Sequence, residues 1–133
     1  MEPMQETINS PNSFGDECRK LAFEWIAAWN DHDLEKILLH YSDDVEFTAQ
    51  TVATRWNRAD GTLRGKQELE KHFSRGLELA PHLLFELEDV FLAPSGYAVL
   101  YRRENGNRVL DVVELDQQKK AKKVTAYYLQ SQV

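Results

Sequence analysis

Asp111, set between Val109 and Val113, is the side chain best suited to chemistry; His72, at the edge of an apolar helical stripe, reads more simply as a satisfied or surface residue than as a base. A carboxyl group among apolar residues must be neutralised, paired or hydrogen-bonded. In a ligand cavity its pKa rises, and it can then give or take a proton near neutrality. Two plainer assignments stand beside that one: an ion pair with Arg102 or Arg108, or exposure at a strand end. Trp25 and Trp29, one helical turn apart, either pack a helix on a sheet or stack on a ring-shaped ligand. Trp56, between Arg55 and Arg58, is either a plug at a cavity rim or part of a lid. His32, His40 and His82 are scattered, so the histidine spacing gives no metal site. No G-x-G-x-x-G, P-loop or G-x-S-x-G occurs. That removes the common nucleotide-binding and serine-hydrolase classes, and no cofactor is expected.

The elements that must position these residues follow from periodicity. Cys18, Leu21, Ala22, Trp25, Ala28 and Trp29 recur at helical spacing, with Ser13 or Asp16 able to cap the start. Asp33 caps a short second helix carrying Leu34, Ile37, Leu38 and Tyr41 on one face. Val45 to Ala49 alternate as a strand. Residues 50–64 show no clean period and contain Asp60-Gly61, which predicts a long loop of the kind often tied to function. A third helix follows Gly65, with Leu69, Phe73, Gly76, Leu77 and Ala80 on its buried stripe, and Pro81 ends it. Strands over 83–92, 97–103, 108–116 and 124–130 complete the chain, with a change of pattern at Asp89. The expected class is α+β, with helices on one face of a curved antiparallel sheet.

Asn105-Gly106 signals a two-residue hairpin. That turn sets Leu100 opposite Asp111, Arg102 opposite Val109 and Ala98 opposite Val113, all on the inner face. The outer face then carries Tyr97, Val99, Tyr101, Leu110 and Val112. Both faces are apolar, which a one-sided antiparallel sheet does not need. A homodimer through the outer face is therefore expected.

Composition bounds the rest. The chain has 133 residues, with 16 Lys+Arg against 22 Asp+Glu and a net charge of −6. That length fits one domain over residues 14–133 behind a polar arm, residues 1–13. The acidic balance lacks the clustered basic surface that nucleic acid requires, and the lysines of 119–123 read as edge protection. No apolar run approaches the ~20 residues of a membrane span, and the start lacks a signal-peptide pattern. A single cysteine, Cys18, suits the reducing cytoplasm.

The strings WIAAWNDHDLEKILLHYSDDVEF (25–47), DGTLRGKQELEKHF (60–73) and VLDVVELDQQKKAKKVTAYY (109–128) resemble the SnoaL-like branch of the nuclear transport factor 2-like superfamily. The resemblance spans residues 16–129. It implies a cone-shaped α+β barrel of the ketosteroid isomerase-like or cystatin-like kind: a curved antiparallel sheet wrapped around three helices, enclosing a cavity for a small apolar or ring-containing molecule. It also agrees with a dimer through the sheet.

Ketosteroid isomerases of this superfamily use a tyrosine and a protonated aspartate to hold an oxyanion while a second aspartate moves the proton. The resemblance puts Trp25 at the tyrosine, Ala49 at the proton-moving aspartate and Asp111 at the oxyanion-hole acid. One role of three is filled, so that mechanism is not expected. Polyketide cyclases of the SnoaL-like type imply one acid/base in a shaped cavity, with Asp111 beside His72 or Tyr128. Limonene epoxide hydrolases imply an Asp-Arg-Asp set, to which Arg102 and Asp111 offer two members and Glu104 a poor third.

The expected site is therefore Asp111 as acid/base, in a pocket lined by Trp25, Trp29, Phe47, Trp56, His72, Leu100, Arg102, Val113 and Tyr128. The expected function is a cofactor-independent isomerase, cyclase or hydrolase, or else a non-catalytic binding or dimeric interaction module. An enclosed apolar pocket with Asp111 at its wall favours the catalytic version. Asp111 locked to an arginine in a water-sized gap would sink it.

Overall fold

The computed structural model describes residues 13–130; the expected N-terminal arm, apart from Ser13, lies outside them. Helix α1 (Phe14–Asn30) starts where the Ser13 side chain accepts the backbone N–H of Asp16, satisfying one of the orphan donors of the first turn. Its buried stripe includes Cys18, Ala22, Trp25 and Trp29. Burial raises the Cys18 thiol pKa to about 11, so it behaves as a small core hydrophobe. Helix α2 (Leu34–Leu38) is capped by Asp33, which accepts the Lys36 N–H. Strand β1 (Tyr41–Thr48) then begins at Tyr41, which belongs to the strand and not to the face of α2.

The expected loop over 50–64 folds into two elements, helix α3 (Gln50–Trp56) and strand β2 (Thr62–Arg64). Helix α3 is two turns long and buries Val52, so no 3.6-residue period can show in its sequence. Asn57, in the left-handed conformation that short polar side chains tolerate, stops it. Helix α4 (Lys66–Leu79) buries Leu69, His72 and Phe73.

Strands β3 (Phe85–Ala93), β4 (Gly96–Arg103), β5 (Arg108–Leu115) and β6 (Ala121–Tyr128) complete a six-stranded sheet in the order β2-β1-β6-β5-β4-β3. The pattern change at Asp89 is a register shift between Leu87 and Asp89. Two corrections apply to the expected architecture. There are four helices among the described residues, and β1 runs parallel to β6, so the sheet is mixed. It curves without closing.

The hairpin register differs by one residue from the expected one. Val99 pairs with Asp111, Leu100 with Leu110 and Tyr101 with Val109. The Arg103 N–H bonds to the Asn107 carbonyl, leaving Glu104, Asn105 and Gly106 as a three-residue loop. Gly106 takes φ +89°, the glycine position of a three-residue hairpin. A one-residue slip exchanges faces. Tyr97, Val99 and Tyr101 therefore lie buried on the inner face, and Leu100 and Arg102 lie on the outer one. Leu110 and Val112 remain outside, as expected.

Candidate active site

The inner face of β4, β5 and β6 builds the floor. Asp111 stands in a cross-strand row with Val99 and Ala126, and Tyr101, Val109 and Tyr128 form the next row. Ala126 is small, so the space above Asp111 stays open. Helix α1 brings Trp25 and Trp29 over this floor, helix α4 brings His72 and Phe73, and α3 supplies Thr51 and Arg55. Together with Phe47, Phe85 and Arg103 these residues line a cavity of about 310 Å³ that reaches Asp111. That is the lower end of ligand-site volumes.

Asp111 is 3% exposed. Burial raises its carboxyl to a pKa of about 7, against the opposing effect of the Tyr101 hydroxyl, which donates to Oδ1 at 3.3 Å. No arginine pairs with it among the described residues. Arg102 and Arg108 both bind Glu88 on the far side of the sheet, and Arg102 is exposed. The Asp-Arg-Asp arrangement is therefore absent. Asp111 also borders a second gap of about 10 Å³ between Tyr41 and Tyr97, large enough for one water at most. Proximity to Asp111 adds to burial in holding the Tyr41 and Tyr101 hydroxyls protonated.

Trp25 donates its indole N–H to the Tyr41 hydroxyl at 2.9 Å. It packs edge-on to Tyr101 and presents its ring to the cavity, with its N–H already engaged. Trp29 is different. Its Nε1 is buried and has no hydrogen-bond partner among the described residues.

His72 is neutral. Burial, with the Arg55 guanidinium second, lowers its pKa to about 4. The Trp56 indole donates to Nδ1 at 2.9 Å, so the ring proton belongs on Nε2. Nε2 faces the Thr51 hydroxyl at 3.4 Å, and that hydroxyl lies 3.3 Å from the Tyr128 hydroxyl. A file of exchangeable protons thus runs along one wall from His72 to Tyr128.

Of the expected site residues, Asp111, Trp25, Trp29, Phe47, His72 and Tyr128 converge on the cavity. Trp56 stands behind His72 and fixes its tautomer. Val113 borders only the small gap, and Leu100 and Arg102 are excluded by the register. Sequence reasoning missed Tyr101, Thr51, Arg55, Phe85 and Arg103. Tyr101 was legible only through the alternative three-residue turn, and Thr51 and Arg55 only through a helix too short to show a period. Among the described residues no group of three His, Cys, Asp or Glu side chains is placed to hold a metal ion, and no helix is long and apolar enough to cross a membrane.

Helices packed inside a curved sheet, with an acid on the floor of an aromatic cavity, define a cone-shaped α+β cavity protein. The chain belongs to the SnoaL-like domain family, whose model matches residues 22–125. It is similar to a SnoaL-like protein of unknown function from Burkholderia thailandensis, at 30% identity over 85% of this chain and 94% of that one, with a TM-score of 0.82. A protein with a cystatin-like fold from Methylobium petroleophilum shares 13% identity over 89% and 79% of the two chains, with a TM-score of 0.69. TerC, crystallised with polyporic acid, shares 14% identity over 84% and 90%, with a TM-score of 0.68. No curated protein matches the chain at a significant level.

Proposed function

We propose that this protein binds an apolar, ring-containing small molecule in its cavity and acts on it without a cofactor, as an isomerase, cyclase or hydrolase with Asp111 as acid/base. The observation that carries this reading is a fully buried carboxyl group, poised near neutrality and free of any arginine, at the floor of an aromatic pocket. In its neutral form Asp111 donates to a ligand oxygen on which negative charge develops; in its ionised form it takes a proton from the ligand. Tyr101 holds the carboxyl group in place, and the ring faces of Trp25 and Phe85 shape the apolar volume. A fold neighbour crystallised with polyporic acid is in keeping with a ring-shaped occupant.

The free, buried thiol of Cys18 suits a cytoplasmic setting. We also propose a second copy of the chain on the outer sheet face, where Phe91, Val112 and Tyr127 are exposed beside Leu100 and Leu110.

Native mass spectrometry of the purified protein would identify the retained ligand, whose conversion is then followed. Asp111→Asn is expected to abolish turnover while binding persists. An unchanged rate would remove Asp111 from the mechanism. Binding without turnover by the unmodified protein would leave the non-catalytic binding module as the function.

A further inference from the structure

We propose that Arg55 anchors an anionic group of the ligand, so that the occupant is an apolar ring carboxylate held with its charge at the cavity rim and its ring toward Asp111. This rests on the cavity reading above and specifies the substrate class of the same site.

The first observation concerns pairing. Seven of the eight arginines bind a carboxylate: Arg19, Arg58, Arg64, Arg75, Arg102, Arg103 and Arg108. Arg55 has no carboxylate within ion-pair distance among the described residues, in a chain whose net charge is −6. Chance placement in so acidic a protein favours a partner, so its absence at a cavity wall is informative.

The second observation is that the guanidinium is positioned. Nη1 donates to the His72 carbonyl at 3.1 Å and stands 3.3 Å from His72 Nδ1. It also lies over Gly76, where a Cβ would approach Nη1 to 3.6 Å. The neutral His72 ring offers no negative charge in return. Nε and Nη2 donate to no protein group among the described residues, which leaves a guanidinium edge for a bidentate acceptor.

The third observation is cost. Arg55 is half-buried, and both burial and the neighbouring Arg75 disfavour its charged form. A partly desolvated cation without a counter-ion is unfavourable unless a ligand supplies one. The other cation in the cavity, Arg103, is already forked onto Glu104. The deepest ionisable group, Asp111, is mostly neutral at pH 6 and does not then repel an incoming anion.

Calorimetric titration with 2-naphthoate and its neutral amide, 2-naphthamide, at pH 6 and low salt tests the proposal. The carboxylate is expected to bind at least tenfold tighter than the amide. Arg55→Gln should reduce that preference to within twofold, and Arg55→Lys should retain part of it. Equal affinity of the unmodified protein for the two compounds would overturn the anionic assignment alone, as would a preference that survives Arg55→Gln. If Arg55→Gln does not fold, the comparison on the unmodified protein still decides. Failure of both compounds to bind would overturn the cavity reading as well.

Discussion

Asp111 and His72 illustrate how one cavity shifts two groups in opposite directions by the same cause. Burial disfavours charge, so the carboxyl pKa rises to about 7 and the imidazole pKa falls to about 4. Their effects on stability oppose each other. The folded state retains the Asp111 proton as pH rises from about 4 to about 7, and this contribution to stability is lost through that range. The unfolded chain protonates His72 below about 6.5 while the folded chain does not, so that contribution grows between pH 4 and 6.5. Asp111→Asn removes the first effect. The variant is expected to be more stable than the parent at pH 8.5, by about 2–4 kcal/mol, with little difference at pH 4. Thermal melts at the two pH values check this, and a variant less stable at pH 8.5 would mean that ionised Asp111 is well solvated or paired. Trp56→Phe removes the donor to His72 Nδ1 and should cost about 1 kcal/mol. It should also raise the pH at which the His72 ring titrates, followed by NMR of its Cε1 proton; an unmoved titration would show that the indole does not hold the tautomer.

At the scale of elements, the β4–β5 hairpin decides which residues see the cavity. Its three-residue loop depends on Gly106 at positive φ, where a Cβ is unfavourable even in open space. Gly106→Ala is expected to lower stability by about 1 kcal/mol through backbone conformation alone. A neutral result in denaturant unfolding would mean that the loop relaxes into another turn type. Helix α3 works differently. Two turns long, it is held by Val52 beneath and by the contacts of Thr51, Arg55 and Trp56 with His72 on α4. Short helices owe their order to such tertiary contacts rather than to propensity.

At the scale of the molecule, the sheet has an aromatic inner face and an outer face that is still partly apolar. The outer rows run Phe91–Ala98–Val112–Thr125–Thr48–Thr62 across all six strands and Asp89–Leu100–Leu110–Tyr127 across four. Val112→Glu places a charge at the centre of the longer row. If a second copy covers this face, sedimentation velocity should show the variant as a monomer under conditions where the parent is a dimer. A dimer that persists, or a parent that is itself monomeric, would leave this face without that partner. The charge balance also divides spatially: most of the acidic excess lies on the solvated surface, whereas the cavity lining holds Arg55 and Arg103 beside the single carboxyl group of Asp111.

Helices α1, α2 and α4, strands β1 and β3 to β6 and the SnoaL-like relationship were legible in the sequence, because helical spacing, strand alternation and capping residues such as Ser13 and Asp33 are local signals. Asp111 was legible as a candidate for the same reason, a carboxylate between two valines in a strand. The sequence by itself thus determined the α+β fold class and singled out Asp111 as the candidate acid. Tertiary structure alone decided which neighbours meet that acid. Asn105-Gly106 is compatible with a two- or a three-residue loop, and the difference of one residue moves Tyr101 to Asp111 and sends Arg102 to Glu88. The parallel pairing of β1 with β6 and the folding of residues 50–56 onto His72 likewise rest on contacts between segments far apart in the chain. Local patterns specify which faces are apolar; only packing specifies what each face meets.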